Sequence, residues 1–204
     1  MAVYKQGILG SFSGKVGTVV GSSWRGVPYL RSLATKVANP RTAAQVQVRG
    51  RLATTVRRLR LFTETVRRGF VDGGGVAAGW SAAVRRNIAL LEADGAGGFK
   101  LSPDKMELSD GTAAFDVSVT NASGRLSLSW GAPSKGDDFY GGKVYLAAFN
   151  AKNGKAANFS ADISAGSANF SLTSMLDGAD DDVSIYTFAA NAAMSSATKR
   201  QKME

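Results

Sequence analysis

The chain has 204 residues, 44% of them hydrophobic, enough for one large domain or two small ones with a real apolar core, which excludes disorder throughout. It contains no cysteine and no histidine, so disulfides, thiolate chemistry and the commonest general base and metal ligand are missing, and neither enzyme activity nor a cofactor is expected. The net charge of +9 is uneven: residues 1–70 hold thirteen Lys or Arg against the single acid Glu64, a balance of +12, whereas residues 71–204 carry −3.

In chain order, residues 1–40 read as a glycine-rich basic arm. Met1 to Lys5 lead into glycines rather than an apolar run, and nothing approaches the ~18 apolar residues of a membrane span. No export signal is recognisable. Glycines recur at positions 7, 10, 14, 17 and 21. A helix carrying five of them would lose about 0.8–1 kcal/mol per glycine relative to alanine. Short strands and tight turns carrying Phe12, Val16, Val19 and Val20, continued by Trp24, Val27, Tyr29 and Leu30, fit better, as an extended arm docked on a partner. Ser13-Gly14-Lys15 invites comparison with a phosphate-binding loop. Gly10 and Gly14 are one residue too close, however, and Val16 stands where the magnesium-binding hydroxyl belongs, so a nucleotide site is rejected.

Residues 41–94 read as a basic helical hairpin. Thr42 with Gln45 three residues on forms a capping box, which predicts a helix from about Ala43 to Phe70. Val48, Leu52, Val56, Leu59, Phe62, Val66 and Phe70 recur at spacings of three and four and are expected to form one buried stripe. Arg49, Arg57, Arg60, Arg67 and Arg68 gather opposite it, with Arg51 and Arg58 on a second flank. Seven arginines face one glutamate, so ion pairs within the helix cannot offset their repulsion, and a negatively charged partner is expected. Gly73-Gly74-Gly75 marks a flexible break. A second helix follows with Ala77, Trp80, Val84, Ile88 and Leu91 on its apolar face and Arg85 and Arg86 off it. Trp80 is read as core rather than as a base-stacking ring.

After Gly95-Ala96-Gly97-Gly98 the texture changes to period-two alternation. Strands are predicted at Lys105–Leu108, Ala114–Thr120, Leu126–Trp130, Gly142–Phe149, Asn158–Ile163, Ala168–Leu172 and Val183–Ala189. Seven short strands over 99–204 predict an immunoglobulin- or fibronectin-like antiparallel β-sandwich with Trp130 in its core, so the chain as a whole is expected to be α+β. Asp177, Asp180, Asp181 and Asp182, with Asp137 and Asp138, raise calcium as an idea. No EF-hand spacing is present, and solvated loop acids are the preferred reading.

Several of these segments carry a resemblance. Lys5 to Gly10, Ser13-Gly14-Lys15-Val16-Gly17 through Gly21, Trp24-Arg25-Gly26, Arg31, and Asn39-Pro40-Arg41-Thr42 with Gln45 resemble an uncharacterised family of Bacteroidota proteins. In that family a glycine-rich opening and a helical segment precede a β domain. Met106 to Gly111 and the final strand followed by Ser195-Ser196 are similar too. A looser similarity, carried by Asn39 to Thr42, Gln45, Arg49 and Trp80, is to a helical module of small phage virion-associated proteins. It implies virion assembly as a context.

The charge split, the arm and the missing catalytic residues together predict a structural or assembly protein, a virion component located in the particle or the host cytoplasm. Its basic third, through Lys15, Arg25, Arg31, Arg49, Arg57, Arg58, Arg60, Arg67 and Arg68, is expected to contact nucleic acid or an acidic surface on neighbouring subunits, as part of a homo-oligomer or particle. The alternatives are a nucleic-acid-binding protein that is sequence-nonspecific and independent of any particle, and a surface adhesin using the sandwich loops.

Overall fold

In the computed structural model, the described residues are 2–3, 12–36, 38–71, 76–177 and 181–203. Gly7, Gly10, the Gly73-Gly74-Gly75 break and Asp180 lie outside them, as does the side chain of Ala77. The chain divides into two units, residues 1–42 and 43–204.

The first unit is a four-stranded antiparallel sheet of β1 (Ala2–Val3), β2 (Gly14–Val16), β3 (Val19–Trp24) and β4 (Val27–Ser32), in the spatial order β1-β4-β3-β2. The glycine spacing now has a physical reading. Gly17 (φ 58°) opens the turn between β2 and β3, while Gly14 and Gly21 lie opposite each other in the ladder. A β-carbon on Gly21 would come within 2.6 Å of the Phe12 ring, so the missing side chain makes room for that ring. Between β3 and β4, Arg25 (φ 50°) and Gly26 (φ 79°) form a two-residue turn with both φ values positive, the turn whose twist suits a hairpin. The short strands and tight turns expected from the sequence are present, and they pair into one four-stranded ladder.

In the second unit, α1 (Ala43–Leu59), a 3₁₀ turn (Arg60–Phe62) and α2 (Thr63–Gly69) follow one another without a gap, starting directly after Thr42 as the capping box predicts. The Thr63 hydroxyl donates to the Arg60 carbonyl at 2.9 Å, a local bond that competes with the regular helical ladder at this point. Next comes α3 (Val76–Ala89), which runs antiparallel to the first helical segment. Gly79 sits against the Phe70 carbonyl, and at the other end Arg51 Nη2 donates to the Ile88 carbonyl at 3.1 Å. A two-residue pair, β5 (Glu92–Ala93) with β6 (Phe99–Lys100), leads into the sandwich.

The sandwich consists of β7 (Val117–Ala122), β8 (Arg125–Trp130), β9 (Lys143–Asn150), β10 (Ala156–Asp162), β11 (Ser167–Ser171), β12 (Val183–Ala190) and β13 (Lys199–Lys202). One sheet has the order β11-β8-β7 and the other β10-β9-β12-β13, all antiparallel, the expected class of sandwich in an α+β chain. Between the sheets lies a core with Leu126, Leu128 and Trp130 from β8, Val144 and Leu146 from β9, and Val183 and Ile185 from β12. The alternation along β8 puts every second residue inside. Trp130 is core as expected, and its indole N–H donates to the Ile163 carbonyl at 2.7 Å.

One predicted strand is absent and one strand was not foreseen. Lys105–Leu108 is a turn-rich segment whose Met106 and Leu108 plug into the core, not a strand. The seventh strand is instead β13, whose all-polar Lys199 to Lys202 carries no hydrophobic alternation because it closes an open sheet edge, where charged side chains discourage further pairing.

The larger departure concerns the helices. Phe149, Tyr186, Phe188 and Ala190, on the outer face of the β9–β12 pair, form a second core with Leu59, Phe62, Val66 and Phe70 from the first helical segment and Ala83 from α3. β12 is buried at all eight of its residues, since the β-sheet partner covers one face and the helices cover the other. Helices and sandwich thus share a core within 43–204, rather than forming the separate units 41–94 and 99–204 that the sequence suggests. Only the C-terminal half of the predicted helical stripe is buried: Val48 is 64% exposed and Leu52 47%. On α3 Ala83 and Asn87 are fully buried, while Trp80 and Val84 flank them and pack against the shared core. Asn87 is held there by bonds from its side chain to the Ala83 and Glu107 carbonyls and from the Glu107 N–H to its Oδ1.

Candidate interaction surfaces

Alternation along the strands gives the N-terminal sheet two different faces. The ladder aligns Lys15, Val20 and Arg31 in one row, Ser22 and Tyr29 in the next, and Trp24 and Val27 in a third, all on the same side. Val16, Val19, Gly21 and Leu30 lie on the other side, with Phe12 over Gly21. Among the described residues of this unit, Gly21 alone is buried, and Trp24 is 67% exposed. Of the predicted contact residues, Lys15, Arg25 and Arg31 therefore belong to this sheet, and all three are exposed. Arg25 stands over the Trp24 ring with its guanidinium carbon 4.9 Å from the centroid.

The helical arginines divide more sharply than their spacing suggests. Arg49, Arg57, Arg60, Arg67 and Arg68 are exposed. Arg67 lies 3.8 Å from Glu64 one turn earlier, an exposed pair worth little in stability. Arg58 is no open contact residue: its guanidinium carbon lies 4.0 Å above the Phe149 ring, and burial pulls its pKa below the ordinary arginine value. Arg51 is likewise engaged, on the Ile88 carbonyl and over the Phe99 ring at 5.7 Å. A signal for Arg58 was present in the chain. It stands four residues before Phe62, one turn along the same helical side, and so flanks the buried stripe.

Beside Arg58, burial pushes the Tyr186 hydroxyl up to about 12, and that hydroxyl donates to the Pro103 carbonyl at 2.7 Å. A raised folded-state pKa means that this stabilisation is complete below the unfolded value near 10 and is lost as pH rises towards 12. Tyr186→Phe is therefore expected to cost about 1 kcal/mol at neutral pH through the lost hydrogen bond. It should also flatten the alkaline decline measured by urea unfolding between those two pKa values. An identical decline in the variant would assign the loss to other groups.

A cleft of about 540 Å³ between α2 and the β9–β10 edge escaped sequence reasoning. Thr65, Arg68, Lys143, Tyr145 and Asn158 line it together with Glu64. Thr65 donates to Asn158 Oδ1 at 2.7 Å, and Asn158 Nδ2 donates to the Leu61 carbonyl at 2.9 Å, so this polar wall ties helix to sheet. Its residues are far apart in sequence, and no local pattern announces it.

Asp137, Asp177, Asp181 and Asp182 are engaged by the protein itself. Lys155 Nζ lies 2.6 Å from Asp177 Oδ1, and that hydrogen bond is the main cause holding the Asp177 carboxyl below its usual range. Asp181 accepts from Asn150 and from the Asp177 N–H, Asp182 pairs with Lys202, and Asp137 accepts from the Ser134 N–H. Among the described residues, no group of three or more metal-ligating side chains converges, and no helix is long and apolar enough to cross a membrane.

No curated protein sequence matches the chain. Among solved structures it is similar to the solution structure of the fn3 domain of human collagen alpha-1(XX) chain, at 16% identity and a TM-score of 0.35, over 47% of this chain and 87% of that chain. A family model matches residues 11–199, and the chain belongs to that family, DUF6266, a family of unknown function.

Proposed function

We propose that this member of DUF6266 is a non-enzymatic structural subunit whose N-terminal sheet is completed by a neighbouring subunit. The observation behind this reading is that Gly21 is the one buried residue among those described in the sheet. Sheets are stabilised by packing an apolar face against something. Here Phe12 (40% exposed), Val16 (65%) and Val19 (37%) offer such a face to solvent. A phage-like particle is the setting we propose, supported by the resemblance of Asn39 to Thr42, Gln45, Arg49 and Trp80 to the virion-associated module.

Sedimentation velocity over a wide concentration range tests this. The full chain is expected to self-associate or to cofractionate with particles. Val16→Lys with Val19→Lys should return it to monomer without moving the thermal transition of residues 43–204. A chain that stays monomeric at every concentration and never enters a particle fraction defeats the proposal. The particle-independent nucleic-acid binder remains the second reading. It is favoured by the sequence before Glu64, which contains no carboxylate side chain at all. Nucleic acid bound to a strictly monomeric protein is the result that would choose it.

A further inference from the structure

We infer that the face of the N-terminal sheet bearing Lys15, Trp24, Tyr29 and Arg31 is a binding platform for single-stranded nucleic acid. Three observations converge on it. First, the strand register gathers two aromatic and two cationic side chains on one side: Lys15 and Arg31 share a row through Val20, Tyr29 occupies the next row, and Trp24 the third. Rows on one face are about 6.8 Å apart, so the cations and the indole span about 14 Å of sheet, and Tyr29 is the diagonal neighbour of Trp24.

Second, the rings are not consumed by a core. Trp24 is 67% exposed and Tyr29 half-buried, and among the described residues of this unit Gly21 alone is buried. Arg25, in the turn beside Trp24, holds a positive φ of 50° and places its guanidinium over the indole. The tip of the hairpin therefore carries an aromatic plane with a cation attached, the combination that receives an unpaired base and its phosphate.

Third, the charge has no internal answer. Residues 1–42 contain six Lys or Arg and no Asp or Glu. A protein or apolar partner could cover the rings, but a polyanion answers rings and charge together, each phosphate contact releasing counterions. Single strands are favoured over duplex because only unpaired bases expose their faces to side chains on a flat sheet, and stacking tolerates any sequence. The platform lies opposite the apolar face assigned above to a neighbouring subunit, so either surface can fail its test without the other.

The experiment is fluorescence anisotropy of a labelled oligothymidylate titrated with the full chain at several salt concentrations, beside a duplex of equal length. Expected are tighter binding to the single strand and steep weakening with salt. Trp24→Ala with Tyr29→Ala should lose about tenfold or more in affinity at fixed salt, with the salt slope unchanged. Lys15→Ala with Arg31→Ala should reduce the slope of log K against log salt by about 1.4, two phosphate contacts at about 0.7 each. Trp24→Phe, which keeps an aromatic plane, should retain most of the affinity, and this separates stacking from a general loss of hairpin structure. Three results overturn the inference: no binding at low salt, equal affinity for duplex, or affinity indifferent to the loss of both rings. Binding that falls as the protein self-associates would give the platform to a second copy and overturn it as well.

Discussion

Phe62→Ala is expected to destabilise residues 43–204 by about 3–5 kcal/mol, the cost of truncating a fully buried aromatic in a packed core. Phe62 sits in the 3₁₀ turn between α1 and α2 with no exposed surface, and meets both Phe149 and Tyr186 edge-on at 6.3 Å between ring centroids. Those two rings belong to β9 and β12, whose other faces line the interior of the sandwich. A cavity at Phe62 therefore loosens helix packing and the outer support of the central strands together. For a unit of this size each kcal/mol lowers the melting temperature by about 2–4 °C, so a fall on the order of 10 °C is expected, in a single transition. Calorimetry that showed the helices melting early and the sandwich at its original temperature would mean that they are separate domains after all.

That joint core was half visible in the chain. The alternation of Leu126, Leu128 and Trp130 announces a strand with one buried face, and Thr42 announces the helix that starts at Ala43. By contrast, Val144 to Phe149 and Ile185 to Ala190 are nearly unbroken apolar runs. A strand needs such a run only when both of its faces are covered. Reading them as ordinary sandwich strands left nothing for the helical stripe to pack on except the second helix. The stripe itself reads as continuous from Val48 to Phe70, yet only its later part meets the sheet, because periodicity reports which residues share a side and not how long the opposing surface is.

The interaction surfaces were legible to a different degree. Charge placement identified the basic third and the sheet residues Lys15, Arg25 and Arg31 without any structure. It did not show that Arg58, on a different flank from the exposed Arg57 and Arg60, lies on Phe149, because that ring comes from a strand distant in sequence. Nor could it bring Trp24 and Tyr29 onto one face with Lys15, since that depends on the register of two hairpins. In sequence the clustered acids read as solvated loop acids, and their partners Lys155, Asn150 and Lys202 emerge only once β9, β12 and β13 are assembled.

Gly69→Ala and Gly50→Ala, both in the first helical segment, are expected to act with opposite signs. In a helix, alanine is favoured over glycine by about 1 kcal/mol, and that preference alone would make both substitutions stabilising. At Gly50 the nearest atom to an added β-carbon is Phe99 Cδ2 at 3.9 Å, an ordinary contact, so the preference should be realised there. At Gly69 the β-carbon would lie 2.0 Å from the Leu108 carbonyl oxygen and 2.9 Å from Phe188 Cζ. Neither neighbour can yield easily. The 108–110 segment is tied to the helix end by the Asp110 N–H on the Gly69 carbonyl at 3.2 Å, and Phe188 is locked in the shared core, stacked on Tyr145. Forcing them apart should cost about 2–3 kcal/mol beyond the helix preference, read as a drop in the urea midpoint with little change in slope. If Gly69→Ala instead stabilised the protein as Gly50→Ala does, the close approach of α2 to residues 108–110 would be wrong. This helix end would then not be what fastens the basic segment to the sandwich.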